Sequence, residues 1–109
     1  MLPAALRLGS SAQITATLKS GRRYGSDLLV LHIAPSPDST RYAFAVSKKV
    51  GNSVVRHRIT RQLRHIVREN FESIPLDSLI VIRALPQARE ATFQELATSF
   101  RQALSKAMT

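Results

Sequence analysis

The chain has 109 residues and shows no internal repeat or low-complexity segment, so its length fits one domain over residues 1–109 better than two. Sixteen Lys and Arg against seven Asp and Glu give a formal net charge of +9, which favours a polyanionic partner. Twelve of the cations are arginines, whose guanidinium groups suit phosphate, so nucleic acid is favoured over a membrane surface. There is no cysteine, which excludes disulfides and cysteine-based metal or thiol chemistry. No apolar run is long enough for a signal peptide or a membrane span, so we expect a cytoplasmic protein.

The first half of the chain predicts a short helix followed by strands. Residues 11–20 follow Ser10, which has a glutamine three residues later at capping-box spacing, and Gly21 ends the predicted helix. Residues 28–33 are a run of branched apolar side chains typical of a buried strand, and residues 41–47 alternate as a strand with one buried face does. We expect these two strands to pair as a hairpin.

The longest helical pattern covers residues 54–71, with Ser53 as its candidate N-cap. At about 100° per residue, the apolar side chains fall on one side of this helix and the basic side chains on the opposite side. The apolar side consists of Val55, Ile59, Leu63, Ile66 and Val67, and the basic side of His57, Arg58, Arg61, Arg64, His65 and Arg68. The helix is therefore expected to contact the core and to present a cationic surface.

The end of the chain predicts one more strand and one more helix. Residues 79–85 are an apolar run that Pro86 ends. Thr92 and Glu95 have the spacing of a capping box and begin a helix with an apolar stripe. The order helix, two or three strands, helix, strand, helix is typical of an α+β sandwich with helices packed on a small sheet.

Positive charge is concentrated between residues 39 and 68, a segment without an acidic residue. This segment carries Arg41, Lys48, Lys49, Arg56, Arg58, Arg61, Arg64 and Arg68, half of the cations in the chain. Neighbouring arginines on one helix repel each other by about a few tenths of a kcal/mol per pair, a cost that an anionic partner would offset. An ordinary solvated helix face usually alternates glutamate with arginine, so we expect nucleic-acid binding with a steep salt dependence.

Residues 46–64, VSKKVGNSVVRHRITRQLR, resemble the signature of the bacterial ribonuclease P protein family. In that signature a strand ends in Ser-Lys-Lys, a Gly-Asn loop follows, and an arginine-rich helix comes next. The resemblance extends in the same order over residues 7–8, 21–23, 29–32 and 79–86, which is nearly the whole chain. It implies the order αβββαβα with a left-handed βαβ crossover, whereas right-handed crossovers are the general rule.

The resemblance also implies two binding sites. The arginine-rich helix and its preceding loop would contact the catalytic RNA through Lys48, Lys49, Asn52, Arg56, Arg58, Arg61, Arg64 and Arg68. A cleft between the first helix and the sheet would hold the single-stranded 5′ leader of precursor tRNA through Ile14, Leu18, Lys19, Arg22 and His32. Arg56 lies towards the apolar side of the helical wheel, so organising the loop is an alternative role for it.

The sequence departs from the family pattern at both sites. Ile14 and Leu18 stand where the family commonly has Phe, and His32 stands where it commonly has Tyr. Stacking by the first two is therefore lost, and leader affinity is expected to rest on apolar contact, on His32 and on the nearby Lys19, Arg22 and Arg23. Plain core packing of Ile14 and Leu18 is an alternative. His57 and Thr60 replace the usual Asn and Lys of the signature without reversing charge.

The expected function is that of a protein subunit that binds ribonuclease P RNA and precursor tRNA and aids removal of the 5′ leader. The resemblance implies that magnesium ions held mainly by the RNA subunit do the hydrolysis, so we expect no catalytic side chain, no metal bound by the protein alone and no obligate protein partner. The acidic residues form no recognisable cluster that would suggest otherwise. A structural RNA binder, such as a ribosomal protein, fits the composition equally well. A DNA-binding transcription factor is disfavoured, because strands flank the arginine-rich helix on both sides and no helix-turn-helix partner is present.

Overall fold

The computed structural model describes residues 11–36, 39–75 and 77–108. The elements are α1 (Ser11–Ser20), β1 (Arg22–Gly25), β2 (Leu29–Pro35), β3 (Arg41–Ala45), α2 (Ser53–Glu69), β4 (Ser78–Ala84) and α3 (Phe93–Ala107). Two 3-10 turns, at Phe71–Ser73 and Pro86–Glu90, flank β4. The predicted order αβββαβα and the α+β class are confirmed.

The four strands form one mixed sheet in the order β1-β2-β4-β3. β2 pairs antiparallel with β1 and with β4, whereas β3 runs parallel to β4. The predicted hairpin between the strands at 28–33 and 41–47 is wrong, because β4 lies between them and pairs with both. The apolar run at residues 79–82 of β4 suits this inner position, since both faces of the strand are covered there. The parallel pair β3 and β4, joined through α2, is the βαβ unit that the resemblance implies.

Helices cover both faces of the sheet. On one face α2 and α3 enclose the main core, whose largest fully buried side chains include Phe100, Leu29, Leu31, Ile59, Leu63, Ile80, Ile82 and Leu96. On the other face α1 packs across β2 and β4. Residues paired across neighbouring strands project to the same face, so His32, Val81 and Ala43 share this second face. The predicted α-β sandwich therefore has three layers, with the sheet in the middle.

Side-chain caps define the starts of α2 and α3. The side-chain oxygen of Asn52 accepts a hydrogen bond of 3.0 Å from the N–H of Val55, so Asn52 is the N-cap and the prediction of Ser53 is wrong by one residue. At α3 the predicted capping box is confirmed. The N–H of Glu95 donates to the Thr92 hydroxyl at 3.1 Å, and the Glu95 carboxylate accepts from the Thr92 N–H at 2.8 Å.

Gly21 lets α1 end in close contact with the sheet. Its N–H donates to the carbonyl oxygen of Thr17 at 2.9 Å. A Cβ at this position would lie 2.5 Å from that oxygen and 3.1 Å from the carbonyl oxygen of Ile33. The glycine therefore sets how α1 sits over the second face. The capping box predicted at Ser10, the other end of this helix, lies outside the described residues.

We predict that Gly21→Ala lowers the free energy of unfolding by about 1–3 kcal/mol, because two backbone carbonyls must move to admit the methyl group. Gly25→Ala is the matched control, since the nearest atom to its Cβ is a Val30 methyl carbon at 3.8 Å, an ordinary contact. The control should stay within about 0.5 kcal/mol of the parent protein. Urea unfolding followed by circular dichroism measures both, and equal effects of the two substitutions would contradict the close approach at Gly21.

Candidate RNA-binding interface

The basic residues of α2 lie on the side of the helix that faces away from the core. Ile59, Leu63, Ile66 and Val67 are buried in that core. On the other side, Arg61 and Arg68 are exposed, and Arg58 and Arg64 are half-buried. The predicted division of this helix into an apolar and a cationic side is confirmed, because burying one stripe of an amphipathic helix presents the other to solvent.

A shallow groove runs along the cationic side of α2. It is lined by Val54, His57, Arg58, Thr60, Arg61 and Arg64, a set without an acidic side chain. The Thr60 hydroxyl donates to the carbonyl oxygen of Arg56 at 2.9 Å, so it is occupied within the helix. Val54 is 75% exposed at the helix start. Several guanidinium groups beside one open groove make an environment that suits a chain of phosphates. We call this surface the cationic groove.

The loop before α2 adds further positive charge at the helix N-terminus. Lys48 and Lys49 are exposed, while Val50 between this pair and the helix is buried and anchors the loop to the core. Asn52 is exposed, and its side-chain oxygen is taken up by the cap. The side-chain amide group of Asn52 is thus the part that is suited to donate to an RNA acceptor. The positive end of the helix dipole also lies here and favours an anion.

Two arginines of α2 are held by residues distant in sequence. Arg58 donates from Nη2 to the carbonyl oxygen of Arg89 at 2.6 Å, which ties it to the 3-10 turn after β4. The guanidinium carbon of Arg64 lies 5.9 Å from the centre of the Phe44 ring, within the range of a cation–π contact. Neither Arg89 nor Phe44 was predicted from the sequence. No local pattern links either residue to the helix, because the contacts span 31 and 20 positions.

The fifth arginine of the helix, Arg56, is half-buried, and its Nε is buried with no hydrogen-bond partner within the described part of the chain. This position agrees with the helical wheel, which puts Arg56 towards the apolar side. Its N–H donates to the carbonyl oxygen of Asn52 at 2.9 Å in the first turn of α2. Both predicted roles of Arg56, in binding RNA and in organising the loop, stay predictions.

The predicted leader cleft is formed by α1 and the second face of the sheet. Ile14 and Leu18 are half-buried and do not belong to the main core, which lies on the other face. Lys19 is exposed near the end of the helix. His32 is only 2% exposed and lies in the sheet beneath. The structure thus brings a partly open apolar patch and a buried imidazole to the same face of the protein.

The register of β1 decides which arginine reaches this face. Arg22 is paired with Ile33, which packs on the main core, whereas Arg23 is paired with His32. Because paired residues share a face, Arg23 projects to the cleft side and the predicted Arg22 projects to the opposite side. A second cation, Arg83, donates from Nε to Nε2 of His32 at 3.2 Å. Arg83 was not predicted from the sequence as a site residue, because it lies within the apolar run that predicts β4.

His32 is therefore flanked by two cations in a buried position. Since Nε2 accepts from Arg83, the neutral ring carries its proton on Nδ1. Burial, and then the charges of Arg83 and Arg23, lower the pKa of His32 below its ordinary value of 6.5. The imidazole is thus neutral at pH 7, and the positive charge on this face comes from the arginines.

We predict that His32 makes stability depend on pH in a defined direction. Because its pKa is lowered in the folded protein, its contribution is fully present above about pH 6.5 and is lost as the pH falls below that value, where the unfolded chain binds the proton first. The difference in unfolding free energy between the parent protein and His32→Gln should shrink from pH 8 to pH 5. Denaturant unfolding at each pH measures it, and a constant difference would contradict a lowered pKa.

Within 11–36, 39–75 and 77–108, no three His, Cys, Asp or Glu side chains are grouped so that they could hold a metal ion. In the same part of the chain, none of the helices combines the length and apolar character needed to cross a bilayer.

The fold and these two surfaces define a class, a small basic α+β protein that presents an arginine-rich helix from a packed sheet. The family model for Ribonuclease P matches residues 2–108. The chain is 40% identical over 114 residues to the ribonuclease P protein component of Corynebacterium diphtheriae, covering 97% of this chain and 96% of that relative. It is 42% identical over 110 residues to the component from Acidothermus cellulolyticus, covering 97% and 91%.

A solved structure of the RNase P protein of Staphylococcus aureus superimposes with a TM-score of 0.84 at 26% identity, covering 94% of each chain. The chain therefore belongs to the ribonuclease P protein family, as the protein component of a ribonucleoprotein that processes tRNA 5′ ends. The resemblance first seen in residues 46–64 is confirmed over nearly the full length.

Proposed function

We propose that this chain binds ribonuclease P RNA through the cationic groove of α2 and the loop before it, while the second face of the sheet holds the 5′ leader of precursor tRNA. The observation that carries the proposal is the open, acid-free row of guanidinium groups on a helix whose other side is fixed in the core. A rigid helix holds these charges at set spacings, so the groove matches a folded RNA backbone at little ordering cost.

Phosphate neutralisation supplies the main affinity in this account. Each phosphate that an arginine or lysine neutralises releases condensed counterions, which favours binding at low salt. Lys48, Lys49 and the start of α2 lie at one end of the row, and Arg68 lies in the last turn at the other. The helix therefore offers a cationic track along its whole length.

The leader is held on the second face by apolar contact and phosphate binding instead of aromatic stacking. Ile14 and Leu18 supply the partly open apolar patch, and Lys19, Arg23 and Arg83 supply the charge. His32 keeps Arg83 in place through its Nε2 and is itself too buried for a base to stack on its face. Without the stacking that aromatic residues give, leader binding is expected to discriminate weakly among bases.

The RNA subunit carries the catalytic site in this proposal, with magnesium ions held mainly by that RNA. Such ions would activate water and stabilise charge on the scissile phosphate. The protein contributes binding energy: its cations reduce the repulsion between leader and catalytic RNA, so less magnesium is needed for the two to come together. It works in the cytoplasm and needs no other protein partner.

We predict that Arg61→Ala combined with Arg64→Ala weakens binding to ribonuclease P RNA and lowers the slope of log affinity against log salt by about two, if each side chain neutralises one phosphate. Arg101→Ala combined with Lys106→Ala is the matched control, because it removes the same charge from the exposed side of α3. The control slope should stay close to that of the parent protein. Equal slopes for the two double variants would show that net charge, not the α2 face, governs binding.

Cleavage of a precursor tRNA by ribonuclease P RNA at low magnesium, with and without this chain, tests the function itself. We expect the protein to restore cleavage at the mature 5′ end. A chain that binds the RNA with the predicted salt slope but leaves cleavage unchanged would instead be a structural RNA binder. A substrate whose leader is shortened to one nucleotide separates the two surfaces, since it keeps the scissile bond but should lose only the part of the stimulation that the second face supplies.

A further inference from the structure

Phe44 occupies an unusual place between the sheet and the cationic groove. It lies on β3, the edge strand next to β4, and is paired with Ile82, a residue of the main core. Its ring is half-buried and packs edge-to-face on Tyr42, with ring centres 5.4 Å apart and planes at 65°. Tyr42 is itself only 2% exposed, so the Phe44 ring stands on a fixed support at the border of the core.

The Arg64 side chain packs against the Phe44 ring. Its guanidinium carbon lies 5.9 Å from the ring centre, and the residue also lines the cationic groove. The Arg64 Nε is buried and has no hydrogen-bond partner among the described residues. The side chain is thus held by packing and by the ring, while no acidic group among those residues pairs with it.

We propose that Phe44 is a positioning residue that holds the Arg64 guanidinium ready to bind an RNA phosphate, an inference that rests on the proposed function. An unrestrained arginine loses many rotamers on binding, and ordering it beforehand removes part of that cost. A carboxylate could also order the arginine, but it would neutralise the charge and compete with the phosphate. An aromatic ring restrains the cation without offering such an acceptor.

The neighbouring Arg58 supports this interpretation. It too is held by a neutral group, the carbonyl oxygen of Arg89 at 2.6 Å. In contrast, the Glu69 carboxylate lies 2.7 Å from Nε2 of His65 in the last turns of this helix, and neither residue lines the cationic groove. The groove thus combines restraint of its arginines with an undiminished positive charge.

A double-mutant cycle on Phe44 and Arg64 tests the inference by measuring affinity for ribonuclease P RNA across a salt series. Phe44→Leu should weaken binding about two- to five-fold, the size of a partly exposed cation–π contact, and leave the salt slope unchanged because no charge is removed. Arg64→Gln should weaken binding and lower the slope by about one. In the Arg64→Gln background, Phe44→Leu should have no further effect.

Three further variants separate positioning from stability. Phe44→Tyr keeps a ring face and should retain the parent affinity. Phe71→Leu shortens another half-buried phenylalanine that packs on the core, so it should lower thermal stability without changing RNA affinity. Phe44→Met fills a similar volume without a ring and replaces the leucine variant in the cycle should the latter fail to fold.

The outcomes distinguish this inference from the proposed function. If Arg64→Gln changes neither affinity nor salt slope, Arg64 does not bind RNA and both ideas fail at this residue. If Arg64→Gln behaves as expected but Phe44→Leu has no effect, or has the same effect in both backgrounds, only the positioning role is overturned. Loss of affinity in Phe71→Leu equal to that in Phe44→Leu would also overturn it.

Discussion

Burial of the apolar stripe of α2 in the main core determines where the cationic groove of the protein lies. Ile59, Leu63, Ile66 and Val67 are at most 1% exposed, and burying four such side chains contributes on the order of several kcal/mol. Because the helix cannot rotate without exposing this stripe, Arg58, Arg61, Arg64 and Arg68 must lie on the opposite side. The repulsion among those arginines costs far less than the burial gains. The fold can therefore accommodate a row of cations on α2. The packing of the apolar side of α2 in the main core both stabilises the fold and fixes the RNA-binding surface.

The two faces of the sheet support two different binding surfaces. Its main-core face supports α2, and its second face, covered in part by α1, carries Arg23, His32 and Arg83. Two of the cations, one at each surface, are ordered by neutral groups: a backbone carbonyl holds Arg58 and a neutral imidazole holds Arg83. Restraint by neutral groups leaves the full charge available to a polyanion, whereas carboxylate partners would cancel it. These neutral partners thus order the cations without lowering the net positive charge of the protein.

Much of the fold could be predicted from the sequence, because helix periodicity, the Thr92 capping box and the apolar strand runs are local patterns. Strand pairing could not, since the partner of β3 is β4, which follows only after the whole of α2. Whether Arg22 or Arg23 projects to the cleft side depends on the register between β1 and β2, which the turn between these strands sets. A slip of one residue would exchange the two side chains between the faces of the sheet. Contacts such as Arg64 on Phe44 depend on the tertiary arrangement, so no spacing rule could have indicated them. The charge distribution, by contrast, followed directly from the helical wheel.

A tethered cleavage probe tests most directly whether the basic side of α2 faces ribonuclease P RNA. Because the chain has no cysteine, one introduced cysteine gives a single attachment point. Arg61→Cys and Gln102→Cys each provide one attachment point for an iron chelate that generates hydroxyl radicals, the first on α2 and the second on the exposed side of α3. With the complex formed at low salt, the probe at position 61 should cut the RNA at discrete nucleotides, and the probe at position 102 should leave it uncut. Discrete cuts from position 102 and none from position 61 would contradict the account.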